Sequence, residues 1–119
     1  MKLLLTEHTK KLIEHSRATS AAQLEGLDEP DHMPVVKLFT PDANCTWLIS
    51  ELDPDDPDLA FGLCDLGFGC PELGSVRISE IENLRGAFGL PAERDRHFRP
   101  ERSLSAYAGL ARANGRIVA

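Results

Sequence analysis

Cysteine, aromatic residues and long apolar runs are all scarce in this chain. Its three cysteines, Cys45, Cys64 and Cys70, are an odd number and form no C-x-x-C pair, so neither a disulfide framework nor a zinc ribbon is written into them. They read as small apolar fillers. The opening apolar stretch, Leu3-Leu4-Leu5, is too short for a secretory core or a membrane span, which points to a cytoplasmic protein with no membrane contact. Catalytic signatures are missing as well. No G-x-S-x-G, phosphate loop, H-E-x-x-H or dinucleotide fingerprint occurs, and Gly67-Phe68-Gly69 is too short to cradle a phosphate. No cofactor is expected.

What remains is an ordinary globular composition. A chain of 119 residues, 42% of them hydrophobic, buries enough surface to form one core without staples. One domain over residues 1–119 is expected, with residues 105–119 as a divergent C-terminal helix or tail. Thirteen lysines and arginines stand against 19 acids, a formal charge of −6, which disfavours general nucleic-acid binding. The charge is uneven. Residues 93–119 hold six arginines and no lysine against Glu93, Asp95 and Glu101, a local +3 that leaves −9 for residues 1–92.

Periodicity predicts a helix from Thr6, its N-cap, to about Ala18, then a polar linker over 19–34 with a short helical turn at Ala21–Leu24. Val35–Thr40 and Cys45–Ser50 are rich in strand formers around the turn Pro41-Asp42-Ala43-Asn44, a hairpin pattern. After the break Asp53-Pro54-Asp55-Asp56-Pro57-Asp58 come two further strands, Leu59–Leu66 and Ser75–Ile78. Ser79-Glu80-Ile81-Glu82 fits a capping box opening a brief helix. A short strand is expected at His97-Phe98, and Ser103 caps a last helix that stops at Asn114-Gly115. The fold class is α+β: a small, mainly antiparallel sheet of four or five strands, with the N-terminal and C-terminal helices on one face.

Several phrases stand together: MKLLLTE, VVKLFTPDANCTWLISELDPDD, FGLCDLGFGCPELGSVRISEIENLRG and GLPAERDRHFRP. The most specific residues are Phe39-Thr40-Pro41 with Asn44, Thr46 and Trp47, then Glu72-Leu73-Gly74 leading to Ser79-Glu80, and Glu93-Arg94-Asp95 with Phe98. From Met1 to about Leu104 the chain resembles a family of small bacterial proteins classed only as a domain of unknown function and common on plasmids and integrative conjugative elements. The resemblance implies a mobile-element accessory role and carries no catalytic residue over. After Leu104 the chain departs from the pattern.

Three features are candidate sites. Glu51, Asp53, Asp55, Asp56 and Asp58 place five carboxylates within eight residues, without the glycine and distal glutamate of an EF-hand loop. Their default state is a solvated loop with no metal. An exposed row of like charges also resembles a run of phosphates to a DNA-binding partner. The segment Arg94-Asp95-Arg96-His97, with Glu72, is a candidate anion site or structural pair, and the six arginines beyond residue 92 are expected to pair with acids of the same domain or of a neighbouring copy. Trp47 is a core anchor if covered and a contact residue if exposed.

The sequence therefore reads as a non-enzymatic interaction protein, a monomer or small homo-oligomer. It would contact a protein partner through Asp53, Asp55, Asp56, Asp58 and Trp47, with an acidic antagonist of a host DNA-binding or defence protein as one form. A divalent-metal hydrolase or nuclease built on the acidic loop, Glu72 and His97 is the enzymatic alternative. Nucleic-acid binding through the C-terminal arginines is a third.

Overall fold

The computed structural model describes residues 2–119. Helix α1 (Thr6–Leu24) is followed by β1 (Val36–Phe39), β2 (Thr46–Asp53), β3 (Asp56–Asp65), β4 (Glu72–Arg77), α2 (Ile78–Asn83), β5 (Glu93–Arg94) and α3 (Leu104–Asn114). The strands form one antiparallel sheet in the order β4-β3-β2-β1-β5, the α+β class expected from the sequence.

Several boundaries differ from the sequence reading. α1 runs on through Ser20-Ala21-Ala22-Gln23-Leu24, because two alanines, a glutamine and a leucine favour helix until the chain turns at Gly26. Its N-cap is Leu5, not Thr6. The Leu5 amide donates to Nδ1 of His8 at 3.0 Å, so a side chain three residues on satisfies a free donor at the helix entrance. The strand expected at His97-Phe98 lies instead at Glu93–Arg94, where Phe39 faces Glu93 and Leu38 faces Arg94. The Asp95 side chain then accepts the His97 amide at 2.9 Å and turns the chain away.

Strands β2 and β3 also extend into the acidic segment and leave only Pro54-Asp55 as the turn. Pro57 is tolerated because the register shifts between Leu52 and Asp53, where no ladder bond requires its missing amide. A second shift makes Ser50 an extra residue between the pairs Ile49↔Gly62 and Glu51↔Phe61. At that bulge the chains approach so closely that a Cβ on Gly62 would lie 2.0 Å from the Leu48 carbonyl oxygen. Glycine is required there.

Neighbouring side chains on a strand point to opposite faces, and two cores follow. Leu38, Trp47, Ile49 and Leu52 pack with Leu12 of α1 and with Ile78 and Ile81 of α2. Leu48 and Leu63 pack with Leu104, Tyr107, Ala108 and Ala111 of α3. The terminal helices thus serve opposite faces of the sheet instead of sharing one. Trp47 is 1% exposed, which makes it a core anchor and removes it from the contact residues. Among the described residues, no helix is long and apolar enough to cross a membrane.

Candidate functional site

The segment between α1 and β1 crosses the molecule as an extended strap, and His32 pins it. The His32 ring stacks on that of His15 with centroids 4.0 Å apart and planes within 3°. His15 Nδ1 lies 2.8 Å from the Ser50 carbonyl. A carbonyl only accepts, so Nδ1 carries the proton. By the same argument Nε2 of His32 donates to the His15 carbonyl at 2.9 Å, and the Thr19 hydroxyl lies 3.1 Å from that nitrogen. Thr19 in turn donates to Oε2 of Glu51 at 3.2 Å. Ser50 is the bulge residue without a cross-strand partner, so the imidazole of α1 satisfies a backbone group that the sheet leaves unpaired.

Beyond Glu51 this network opens into a groove of about 590 Å³ between the C-terminal half of α1 and the β2–β3 hairpin. Ala21, Leu24, Leu59 and Phe61 supply its apolar lining, while Glu51, Asp53 and Asp55 bring three carboxylates to it against one guanidinium, that of Arg17. Leu24 is 89% exposed and Phe61 37%. Burial pushes the Glu51 carboxyl above its ordinary value, opposed by the Thr19 hydrogen bond and the nearby His15. Burial also holds the His15 imidazole below its ordinary value, against the pull of the Ser50 carbonyl.

The four aspartates singled out from sequence divide into two pairs. Asp56 accepts from Arg77 at 3.0 Å, and Asp58 lies 3.5 Å from the same nitrogen. Asp58 also accepts the Ser79 amide at 2.9 Å and the Ser79 hydroxyl at 2.7 Å, which holds its carboxyl below the usual range. It thereby caps α2 from the neighbouring strand. The expected Ser79–Glu82 capping box does not form, because α2 begins two residues earlier, with Arg77 in place of Ser79 at its N-cap. Asp53 turns inward at one oxygen to accept the Asp55 amide at 2.8 Å, and Asp55 is exposed. The uninterrupted row of free carboxylates is therefore cut by a guanidinium.

The second candidate set does not converge. Arg94 donates to the Lys2 and Leu3 carbonyls at 3.0 and 2.8 Å and ties the N-terminal segment to β5. Asp95 lies 3.7 Å from the Lys37 ammonium. His97 lines a cleft with Arg99 and Arg102, whereas Glu72 lines a different one with Leu73 and Arg112. Arg96 is exposed. Among the described residues, none of the six arginines beyond residue 92 forms an ion pair, which corrects the expectation of internal pairing. No group of three or more His, Cys, Asp or Glu side chains is placed to hold a metal among those residues either.

A wider cleft of about 750 Å³ lies beside the β1–β2 turn. Its carboxylates are committed. Asp65, though buried, accepts the Gly67 amide at 2.9 Å and the Ile117 amide at 3.0 Å, which fastens the segment after α3 to β3. Sequence reading missed His15, Thr19 and His32. Their separation carries no motif, and the only local signal for Thr19 and His32 was a polar stretch that read as linker.

No curated protein and no solved structure matches this chain. A family profile does, and it runs through α3, past Leu104 where the sequence reading placed a departure. Matched over residues 3–118, the chain belongs to the family described as protein of unknown function (DUF2958).

Proposed function

We propose that this protein is a binding module that seats a basic, apolar-anchored segment of a partner protein in the groove between α1 and the β2–β3 hairpin. The observation that carries this reading is the pairing of an exposed Leu24 and a partly exposed Phe61 with the carboxylates of Glu51, Asp53 and Asp55 around one groove. Apolar surface of this kind rimmed by charge is a common basis of protein contacts. The apolar lining supplies burial, and the acidic rim sets partner choice and encounter rate. A mobile-element accessory protein that blocks the basic segment of a host DNA-binding or defence protein is the form of this reading that the sequence resemblance favours. The ion pairs of Arg77 favour it as capture of a peptide segment over imitation of a phosphate row. An enzymatic reading draws no support from Glu72 and His97, which line separate clefts.

Selection from a displayed random-peptide library tests the reading directly. The expected result is enrichment of peptides with Lys or Arg next to a large apolar residue, with binding lost in the combined variant Leu24→Asp, Asp53→Asn, Asp55→Asn. Enrichment that survives this variant, or no enrichment at all, overturns it.

A further inference from the structure

We infer that the C-terminal arginine surface binds single-stranded nucleic acid. Arg94 is spent on the Lys2 and Leu3 carbonyls, but Arg96, Arg99, Arg102, Arg112 and Arg116 are all exposed, and among the described residues none of them pairs with a carboxylate. The acids nearby are largely committed. Asp95 is held by Lys37 and by the His97 amide, and Asp65 by two backbone amides. The +3 of residues 93–119 is therefore a field directed at solvent and not part of the chain's internal charge balance.

Geometry decides which anion suits it. A cleft of about 440 Å³ between residues 97–102 and α3 carries Arg99 and Arg102 beside His97 and Phe98, with Glu101 as its other acid besides Asp95. The 750 Å³ cleft next to it carries Arg116, its Lys37 being held by Asp95 and the Ala119 carbonyl, and both clefts are lined by Asp95. Cations thus recur from one cleft to the next, as a repeating phosphate backbone requires. The exposed imidazole of His97 offers a planar face to an unstacked base, beside Phe98, whose ring packs against the α3 core. A duplex keeps its bases stacked inside and meets only the rim. An acidic peptide matches the charge but has no planar group for the ring.

Fluorescence anisotropy with a labelled oligothymidylate tests this on the full chain. Binding is expected at low salt, with log affinity falling against log salt at a slope of about −2 to −3, the value for three or four phosphates on a single strand. Arg99→Gln, Arg102→Gln and Arg116→Gln together should weaken it at least about tenfold, equivalent to about 1.4 kcal/mol. The three Arg→Lys changes should keep the salt slope, and Asp53→Asn with Asp55→Asn should leave affinity unchanged. The inference fails if no binding occurs at low salt or if the glutamine variant binds as the native chain does. It fails equally if a duplex or a labelled polyglutamate peptide binds as tightly as the oligothymidylate.

Discussion

The imidazole of His32 lies flat against that of His15, 4.0 Å between centroids, and through this contact the strap reaches both helices. One residue before it, the Asp31 carboxylate accepts the amide and hydroxyl of Ser105, and the His32 carbonyl accepts the Leu104 amide at 2.8 Å. The histidine pair therefore joins α1 to the start of α3. A positive charge on one ring at that distance opposes a charge on the other, which adds to burial in holding the His15 imidazole below its ordinary value.

Stability should fall as pH drops below about 6.5, the unperturbed histidine value. Burial lowers the folded-state value of His15 and also that of His8, so the unfolded chain takes up protons first and is favoured on acidification. Glu51 acts in the opposite sense. Its raised folded-state value adds stability as pH falls toward the ordinary carboxylate range. Urea midpoints between pH 7.5 and pH 5 are therefore expected to decline, less steeply in His15→Gln and more steeply in Glu51→Gln.

Replacing Gly86 by alanine should release the loop that follows α2. A Cβ there would lie 1.7 Å from Oδ1 of Asp42, whose other oxygen accepts the Phe88 and Leu90 amides at 2.8 and 3.2 Å. Hydrogen exchange at those two amides is expected to speed up strongly, with little change in the strand amides of β2 and β3. Unaltered protection at Phe88 would show that Asp42 is not what pins the loop.

Asp58→Ala should destabilise the fold more than Arg77→Met. The first leaves the Ser79 amide without its acceptor at the start of α2, while the second removes only two exposed ion pairs. Denaturant midpoints of the two variants, measured side by side, check the order.

Trp47→Ala should cost about 3–5 kcal/mol, the range for emptying a large aromatic site in a core. The indole is the chain's single tryptophan and is buried, so its emission should shift to the red on unfolding. Trp47→Phe is expected to keep the fold and lose most of the signal. Native emission typical of a solvated indole would contradict the packing.

The sheet was readable because its cues are local. The strand-forming residues of β1 and β2 and the turn at Pro41–Asn44 show in residue type alone, as does the Ser103 cap, which accepts the Ala106 amide at 3.3 Å. The reach of β2 and β3 into the acidic stretch was not. It depends on a bulge and a register shift that residue type does not announce. Sites were harder still. Arg77 and Asp58 lie in adjacent strands, and His15 and Thr19 meet His32 across a reversal of the chain, so only pairing geometry brings them together. Asp53 and Asp55 were legible as acids, but the apolar groove beside them was not, because Leu24 falls in a stretch that read as linker.

Trp47 and Leu48 are joined by one peptide bond yet fill different cores. A misalignment of β2 by one position during folding would exchange an indole for an isobutyl group on both sides at once, with one core overfilled and the other left with a void. The central strand thus carries its own proofreading: a frame error costs volume on both faces, so no partial compensation lets a shifted sheet persist.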